Sequence, residues 1–334
     1  MTTYKETGVD IDAGEETVRR IKPAVYETHT EGVLTGIGAF GGLFELDAVA
    51  YDDPVLVSSI DGVGTKLLAA RRAGRYDTIG RDLVNHCVND IAVSGAQPLF
   101  FLDYYATGSL SPDVGEDVIG GFAHACKENS CALIGGEIAE MPDVYDEEDF
   151  DIAGAVVGVV DKSAIVDGSR IEAGDVLVGL PSTGLHTNGY TLARAVLFEH
   201  FDVGDALAEL GGATVGEALL RVHRSYLEPI QALIENDLAR GFVHVTGGGV
   251  AGNAARVVPS GLTAEADYDA WARPAIFDMI QRLGDVPEDD MRRTFNLGVG
   301  LIAISAPADI EETMQVLREA GEEPFRIGRI VDES

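Results

Sequence analysis

Directly after an apolar run at residues 55–60, the sequence sets Asp61, Gly62, Val63, Gly64, Thr65 and Lys66 in a row. A strand ending there delivers a carboxylate, backbone N–H groups, a hydroxyl and an ammonium to one spot, which is phosphate and Mg²⁺ chemistry. The glycine and lysine order is not that of a Walker loop, and a turn with incidental charges is the alternative. Asp82, His86, Asn89 and Asp90 follow at three- and four-residue steps and share one helix face, while Leu83, Val84, Cys87, Val88 and Ile91 fill the other. Turned to solvent, that polar face is ordinary. Turned toward Asp61, its carboxylates complete a hard oxygen site for Mg²⁺ on nucleotide phosphates, which Asp103 could join from the end of the next strand.

Gly135, Gly136 and Glu137 follow another short apolar run and place a carboxylate at its end. His186 lies in a polar, Gly-flanked loop from Ser182 to Tyr190 that includes Asn188, at a strand-to-helix junction suited to wrapping an anion beside an imidazole. Gly247, Gly248 and Gly249, after His244, open into a helix and offer a second phosphate cradle. The stretch from Phe295 to Gly300 adds further glycine-rich backbone. Residues 36–41 read Gly-Ile-Gly-Ala-Phe-Gly, but the strand before and helix after that a dinucleotide fingerprint needs are missing, so a mobile loop over a substrate or a plain turn is expected. No Gly-x-Ser-x-Gly elbow or His-Glu-x-x-His occurs.

Strands are expected at residues 55–60, 99–105, 132–134 and 152–160, with helices at 82–93 and 114–128 between them. A polar connection leads to a second series: strands at 176–180, 243–245, 262–266, 295–304 and 325–330, and helices at 190–199, 216–240, 274–283 and 308–320. This is an α/β (α+β) chain of two mixed domains, 1–167 and 168–334.

The 334 residues are 46% hydrophobic and 24% charged, ordinary for a folded protein, but 56 acidic against 24 basic residues leave a net charge of −32. Such a field repels polyanions and argues against nucleic acid, while scattered Asp and Glu describe a surface adapted to salt. Only Lys5, Lys22, Lys66, Lys127 and Lys162 are lysines, so each stands out. No apolar stretch approaches the ~18 residues of a membrane helix, and residues 1–12 lack a signal-peptide core. A cytoplasmic protein without a membrane partner is expected. Cys87, Cys126 and Cys131, with no Cys-x-x-Cys pair, read as reduced thiols.

In order along the chain, Tyr4-Lys5, residues 8–14 (Gly-Val-Asp-Ile-Asp-Ala-Gly), Asp61 to Lys66, Asn89-Asp90, residues 98–108 (Pro-Leu-Phe-Phe-Leu-Asp-Tyr-Tyr-Ala-Thr-Gly), Gly135 to Pro142, His186 to Tyr190, Thr246 to Gly249 and Phe295-Asn296 resemble the aminoimidazole ribonucleotide synthetase (phosphoribosylformylglycinamidine cyclo-ligase) family over nearly the whole length. The resemblance implies ATP-dependent closure of formylglycinamidine ribonucleotide to 5-aminoimidazole ribonucleotide, with ADP and phosphate released through an iminophosphate. It implies that Asp61, Asp90 and Glu137 hold Mg²⁺ and ATP, with Asp82 and Asn89 in support. Lys66 neutralises the transferring phosphate, His186 stabilises the iminophosphate or moves a proton, and Lys22 closes over the site. Gly62, Gly64, Thr65, Gly136, Asn188, Gly247, Gly248 and Gly249 are the further nucleotide-binding positions, and K⁺ is a candidate alongside Mg²⁺. A homodimer is implied, its N-terminal sheet joining a partner's into an interface barrel. The sequence departs from the family pattern at Ile138, usually Thr, and at Leu185-His186-Thr187, usually Pro-His-Ser. The intact Asp61, Asp90, Glu137 and His186 speak against a non-catalytic nucleotide-binding subunit of the same layout.

Overall fold

The computed structural model of the chain describes residues 3–47 and 49–333. Two compact units divide it: the residues up to Val88 with Gln97–Lys162, and Asn89–Ala96 with the residues from Ser163 onward. A single cut near Asp167 does not provide for Asn89–Ala96. No helix among the described residues is long and apolar enough to cross a membrane.

In the first unit, α1 (Ile11–Tyr26) starts where the Asp10 carboxylate accepts the Asp12 and Ala13 amides, and buries Thr17, Ile21 and Val25 at four-residue spacing. The sheet comprises β1 (Pro54–Gly62), β2 (Gln97–Thr107), β3 (Ala132–Glu140) and β4 (Phe150–Asp161), in the order β1-β4-β2-β3. β4 runs antiparallel to both β1 and β2, whereas β2 and β3 are parallel and need the crossover helix α4 (Pro112–Glu128). Between β1 and β2 lie α2 (Lys66–Ala73) and α3 (Ile79–Ala92). β3 is longer than the sequence suggests and carries Gly135, Gly136 and Glu137 within the strand, so Glu137 stands in the sheet rather than on a loop tip.

Register sorts the two sheet faces. Ile60, Ala155 and Leu102 share one cross-strand row and Ser58, Val157 and Phe100 the next. On this face Leu56 and Ile60 are 62% and 73% exposed, so an apolar sheet surface stands open. The alternate rows, such as Ser59, Val156 and Phe101, belong to the opposite face, whose Val156 and Phe101 lie in the core.

The second unit holds an antiparallel sheet of β5 (Val176–Pro181), β6 (Gly241–His244), β7 (Leu262–Ala266), β8 (Val299–Ser305) and β9 (Phe325–Asp332), in the order β6-β8-β5-β9-β7. Every residue of β8 is buried, and successive side chains join different clusters: Leu301 and Ala303 meet Phe242, Ile230 and Met314, while Val299, Ile302 and Ile304 meet Val243, Ile327 and Ile330. Burial on both faces explains its continuous apolar run. Among the described residues the unit also holds α5 (Tyr190–His200), α6 (Val215–Leu219), α7 (Leu227–Glu235), α8 (Gly249–Ala254), α9 (Ala275–Gly284), α10 (Glu288–Thr294) and α11 (Ile310–Glu319), with the last turn of α3. The single helix expected at 216–240 is therefore broken, because side chains elsewhere claim its backbone: Thr183 Oγ1 donates to Val222 O, Asn89 Nδ2 donates to Arg224 O, and Asn89 Oδ1 accepts from Tyr226 N–H. The strand expected from Phe295 begins at Val299, after a turn whose Gly298 amide bonds Asn296 Oδ1.

Candidate active site

A cavity of about 980 Å³ opens in the first unit between α1, residues 37–42 and the β2–β3 edge. The glycine-rich stretch is neither strand nor helix. It is closed at its base by the Val33–Phe44 bridge and by Leu34 N–H to Leu43 O, and among the described residues no helix lies between it and β1, as its context implied. Val18, Ile21, Phe100, Leu102 and Ile134 make the walls largely apolar, and Ile138, without the usual hydroxyl, lines it too. The polar groups are carboxylates, chief among them Asp103 and Glu137. Gly136 makes room for Asp103: a Cβ there would lie 2.1 Å from Asp103 Oδ1, so only glycine lets this carboxyl sit against β3. Burial pushes the Asp103 carboxyl up to about 7, against its own backbone N–H bond, so it holds a proton well above the ordinary carboxylate range. Glu140 pins two walls, accepting the Asp10 and Leu110 amides on its two oxygens.

At the far edge of this sheet, Asp61 Oδ2 lies 2.9 Å from His86 Nε2. Thr65 precedes α2, and Gly64 adopts φ 53° in the turn between. Lys66 and Asp82 are both 0% exposed and form an ion pair of 2.7 Å. Burial pushes the Lys66 ammonium below its ordinary value, and Asp82 opposes that shift.

The second unit gathers imidazoles. His186 sits at φ 61° in the loop between β5 and α5, only 1% exposed, and its Nε2 accepts the Thr183 N–H at 3.1 Å. Its ring stacks on His223 at 4.0 Å and 14°. His223 Nε2 lies 3.2 Å from both Asn89 Nδ2 and His244 Nε2, while His244 Nδ1 meets Asp90 Oδ1 at 2.8 Å. Asn296 holds the loop from behind by donating to Gly184 O and accepting from Ser182 Oγ. Asn188 donates to Thr187 Oγ1, and a Cβ on Gly247 would lie 3.1 Å from Asn188 Oδ1, so these two loops touch.

Two family models match the chain, the AIR synthase related protein N-terminal domain over residues 45–160 and C-terminal domain over 172–334. The phosphoribosylformylglycinamidine cyclo-ligase of Anaeromyxobacter dehalogenans strain 2CP-1 is 51% identical over 328 residues, covering 98% of this chain and 95% of that protein. The enzyme of the same name from Bifidobacterium animalis subsp. lactis strain AD011 is 48% identical over 332 residues, 99% and 96% of the two chains. The chain belongs to the phosphoribosylformylglycinamidine cyclo-ligase family. Two solved structures share its fold: thiamine-monophosphate kinase from Stenotrophomonas maltophilia K279a, with a TM-score of 0.67 at 21% identity over 96% of this chain and 94% of that one, and hydrogenase maturation protein HypE in complex with ATP, with 0.66 at 18% over 94% and 86%.

Several residues that the cyclo-ligase resemblance singled out stand differently from expectation. Asp61 and Glu137 do not share an ion within one chain. Asp61 pairs with Gly154, Gly154 with Asp103 and Asp103 with Gly136, so three strand spacings, ~14 Å, separate Asp61 from the strand of Glu137. Lys66 is turned into the protein onto Asp82 rather than toward a phosphate. The polar face of α3 is buried, not solvated: Asp82, His86 and Asn89 are all in the interior. Asn89 spends its amide on Tyr226, Arg224 and His223. The amides of Gly248 and Gly249 donate to Arg293 O and Thr246 O, so this cradle presents fewer N–H groups than its glycines suggest. Lys22 is exposed on α1 with its ammonium 5.6 Å from the Tyr26 ring centre, outside the cavity walls. Gly62 lies inside β1, opposite Ala153. Sequence reasoning missed His223 and the bonding of His244; the signal for His223 was hidden because its segment reads as helix.

Proposed function

We propose that ring closure in this chain runs through an iminophosphate whose charge His186 meets with a ring N–H. The reaction follows from family membership: the chain is a C–N bond-forming ligase of purine biosynthesis that uses ATP to close formylglycinamidine ribonucleotide to 5-aminoimidazole ribonucleotide, releasing ADP and phosphate. The formyl oxygen leaves poorly as an oxide. Transfer of the γ-phosphoryl group to it turns it into phosphate, and the amidine nitrogen then forms the new C–N bond as the C–O bond breaks and the nitrogen sheds a proton. Such chemistry rests on placing reactants and neutralising phosphate more than on a protein nucleophile.

The observation that carries the role of His186 is the Thr183 N–H bond to its Nε2. With Nε2 accepting, a neutral ring keeps its hydrogen on Nδ1, so Nδ1 is the atom from which it donates. Mg²⁺ suits the oxygen donors: one or two carboxylates suffice when phosphates and waters fill the other positions. Asp61, at its strand end, and Glu137, on the cavity wall, are the residues that would hold it, each through its own contact. Bound there, the ion neutralises phosphate charge. The cavity of the first unit, with apolar walls and Glu137 beside Gly136, is assigned to the nucleotide. The open apolar face bearing Leu56, Ile60 and Leu102 supports a homodimer in which two such sheets meet.

The test is formation of ADP and aminoimidazole ribonucleotide from formylglycinamidine ribonucleotide, ATP and Mg²⁺ in high salt. Wild-type turnover that depends on both substrates and falls at least a hundredfold in Asp61→Ala and His186→Gln supports the assignment. His186→Gln turning over at the wild-type kcat would remove His186 from the chemistry.

A further inference from the structure

Three imidazoles in one buried cluster are more than a single proton donor needs, and their bonds differ in kind. The Asn89 amide cannot flip, because Oδ1 accepts the Tyr226 N–H at 2.7 Å and Nδ2 donates to Arg224 O at 3.0 Å. Its other amide hydrogen points at His223 Nε2, which makes that nitrogen an acceptor and places the His223 hydrogen on Nδ1, toward Thr187 Oγ1 at 3.4 Å. His244 Nε2 approaches the same His223 nitrogen. With partners at both nitrogens, the His223 ring cannot turn about its plane, and His186 lies on it nearly parallel. Gly300 leaves room for the stack: a Cβ there would lie 2.7 Å from His186 Cε1 and 1.9 Å from the Tyr226 hydroxyl oxygen.

We propose that His223 is a positioning residue that sets the ring plane of His186. The inference rests on the reading of His186 given above. The Thr183 N–H fixes where the His186 ring points, and the stack on His223 fixes the plane in which its N–H is delivered. His223 needs no contact with substrate for this. A flat ring packed face to face imposes its plane on the ring stacked against it, and misplacement of a reacting group by about 1 Å costs on the order of a hundredfold in rate.

Two variants separate plane from packing. His223→Phe and His223→Leu are both apolar and lose the same polar contacts to Asn89, His244 and Thr187, but only Phe keeps a plane. With thermal melts confirming that both fold, kcat is expected to fall about 10- to 100-fold in His223→Leu and to stay within about fivefold of wild type in His223→Phe, with KM for ATP within about threefold in both. In a His186→Gln background the difference between Phe and Leu disappears, because nothing remains to be oriented. Equal kcat in the Phe and Leu variants, or a difference that persists without His186, overturns the proposal. A His186→Gln enzyme with the wild-type kcat overturns instead the reading on which it rests.

Discussion

Replacing Lys66 by Met should destabilise the protein far more than its position beside a phosphate-type motif suggests. Lys66 and Asp82 are both 0% exposed and 2.7 Å apart. Removing one partner of such a pair leaves the other charge buried and uncompensated, at about 3–5 kcal/mol. Typical stabilities are about 5–15 kcal/mol, so the loss is a large share of the total. The double variant Lys66→Met, Asp82→Leu removes both desolvated charges and is expected to return to within about 1 kcal/mol of wild type, giving a coupling of several kcal/mol in the cycle. A pH series adds a second readout. In Asp82→Leu, burial holds Lys66 below its ordinary value of 10.5 with no carboxylate to oppose it. The unfolded chain then binds more protons than the native one in the window below 10.5, so the stability of this variant climbs as pH rises into that window. Lys66→Met has no such climb. Urea unfolding at fixed high salt measures all of these. A loss below about 1 kcal/mol in Lys66→Met, or a double variant no more stable than the singles, would refute the buried-pair reasoning and return Lys66 to the phosphate role.

Asp103 gives a prediction of opposite sign: raised from 3.8 to about 7, it keeps a proton in the native state that the unfolded chain gives up, so its contribution is complete at low pH and is lost as pH rises through about 7. Asp103→Asn should therefore gain on wild type as pH rises from about 4 to about 7 in urea midpoints, with no further gain above that, and a pH-independent difference would count against a protonated carboxyl in the cavity. The open sheet face predicts that Ile60→Lys combined with Leu102→Glu yields a folded monomer by analytical ultracentrifugation where wild type is a dimer; a wild-type monomer would exclude this face as an interface. A net charge of −32 predicts activity that falls in dilute buffer and recovers as salt shortens the screening length from ~10 Å at 0.1 M to ~3 Å at 1 M; full activity at low ionic strength sinks that expectation.

Strands were legible where side-chain chemistry repeats along the chain. β2 and β4 surround their expected residues because β-branched and aromatic residues run together there, and β7 falls at the expected residues because half-buried Leu262, Ala264 and Ala266 alternate with exposed Thr263 and Glu265. Helices that rest on other signals were not. α1 buries three residues and depends on Asp10 as its cap, while α10 is a seven-residue helix whose order comes from acidic residues in its first turn and Arg292 and Arg293 in its last. The broken helix at 216–240 failed for a different reason: its apolar spacing is sound, but Thr183 and Asn89, distant in sequence, take its backbone groups. Local pattern carries no information about such competitors.

The same limit shaped the site. Asp61, Glu137 and His186 stand out as candidates in the sequence, since glycine-flanked polar residues are visible in one dimension. Their mutual distances are not, because strand order is a long-range property: β1 and β3, which carry two of the three carboxylates read as one metal site, take opposite edges of the sheet. Asn89 reverses role for the same reason. On a helix wheel it belongs to a polar face with Asp82 and Asp90, yet both ends of its amide bind backbone at Arg224 and Tyr226. That fixed amide sets the hydrogen position on His223, and through the stacked ring it bears on His186. A residue read as a nucleotide ligand thus acts as an anchor two steps removed, and its removal should be felt first in the order of the imidazoles.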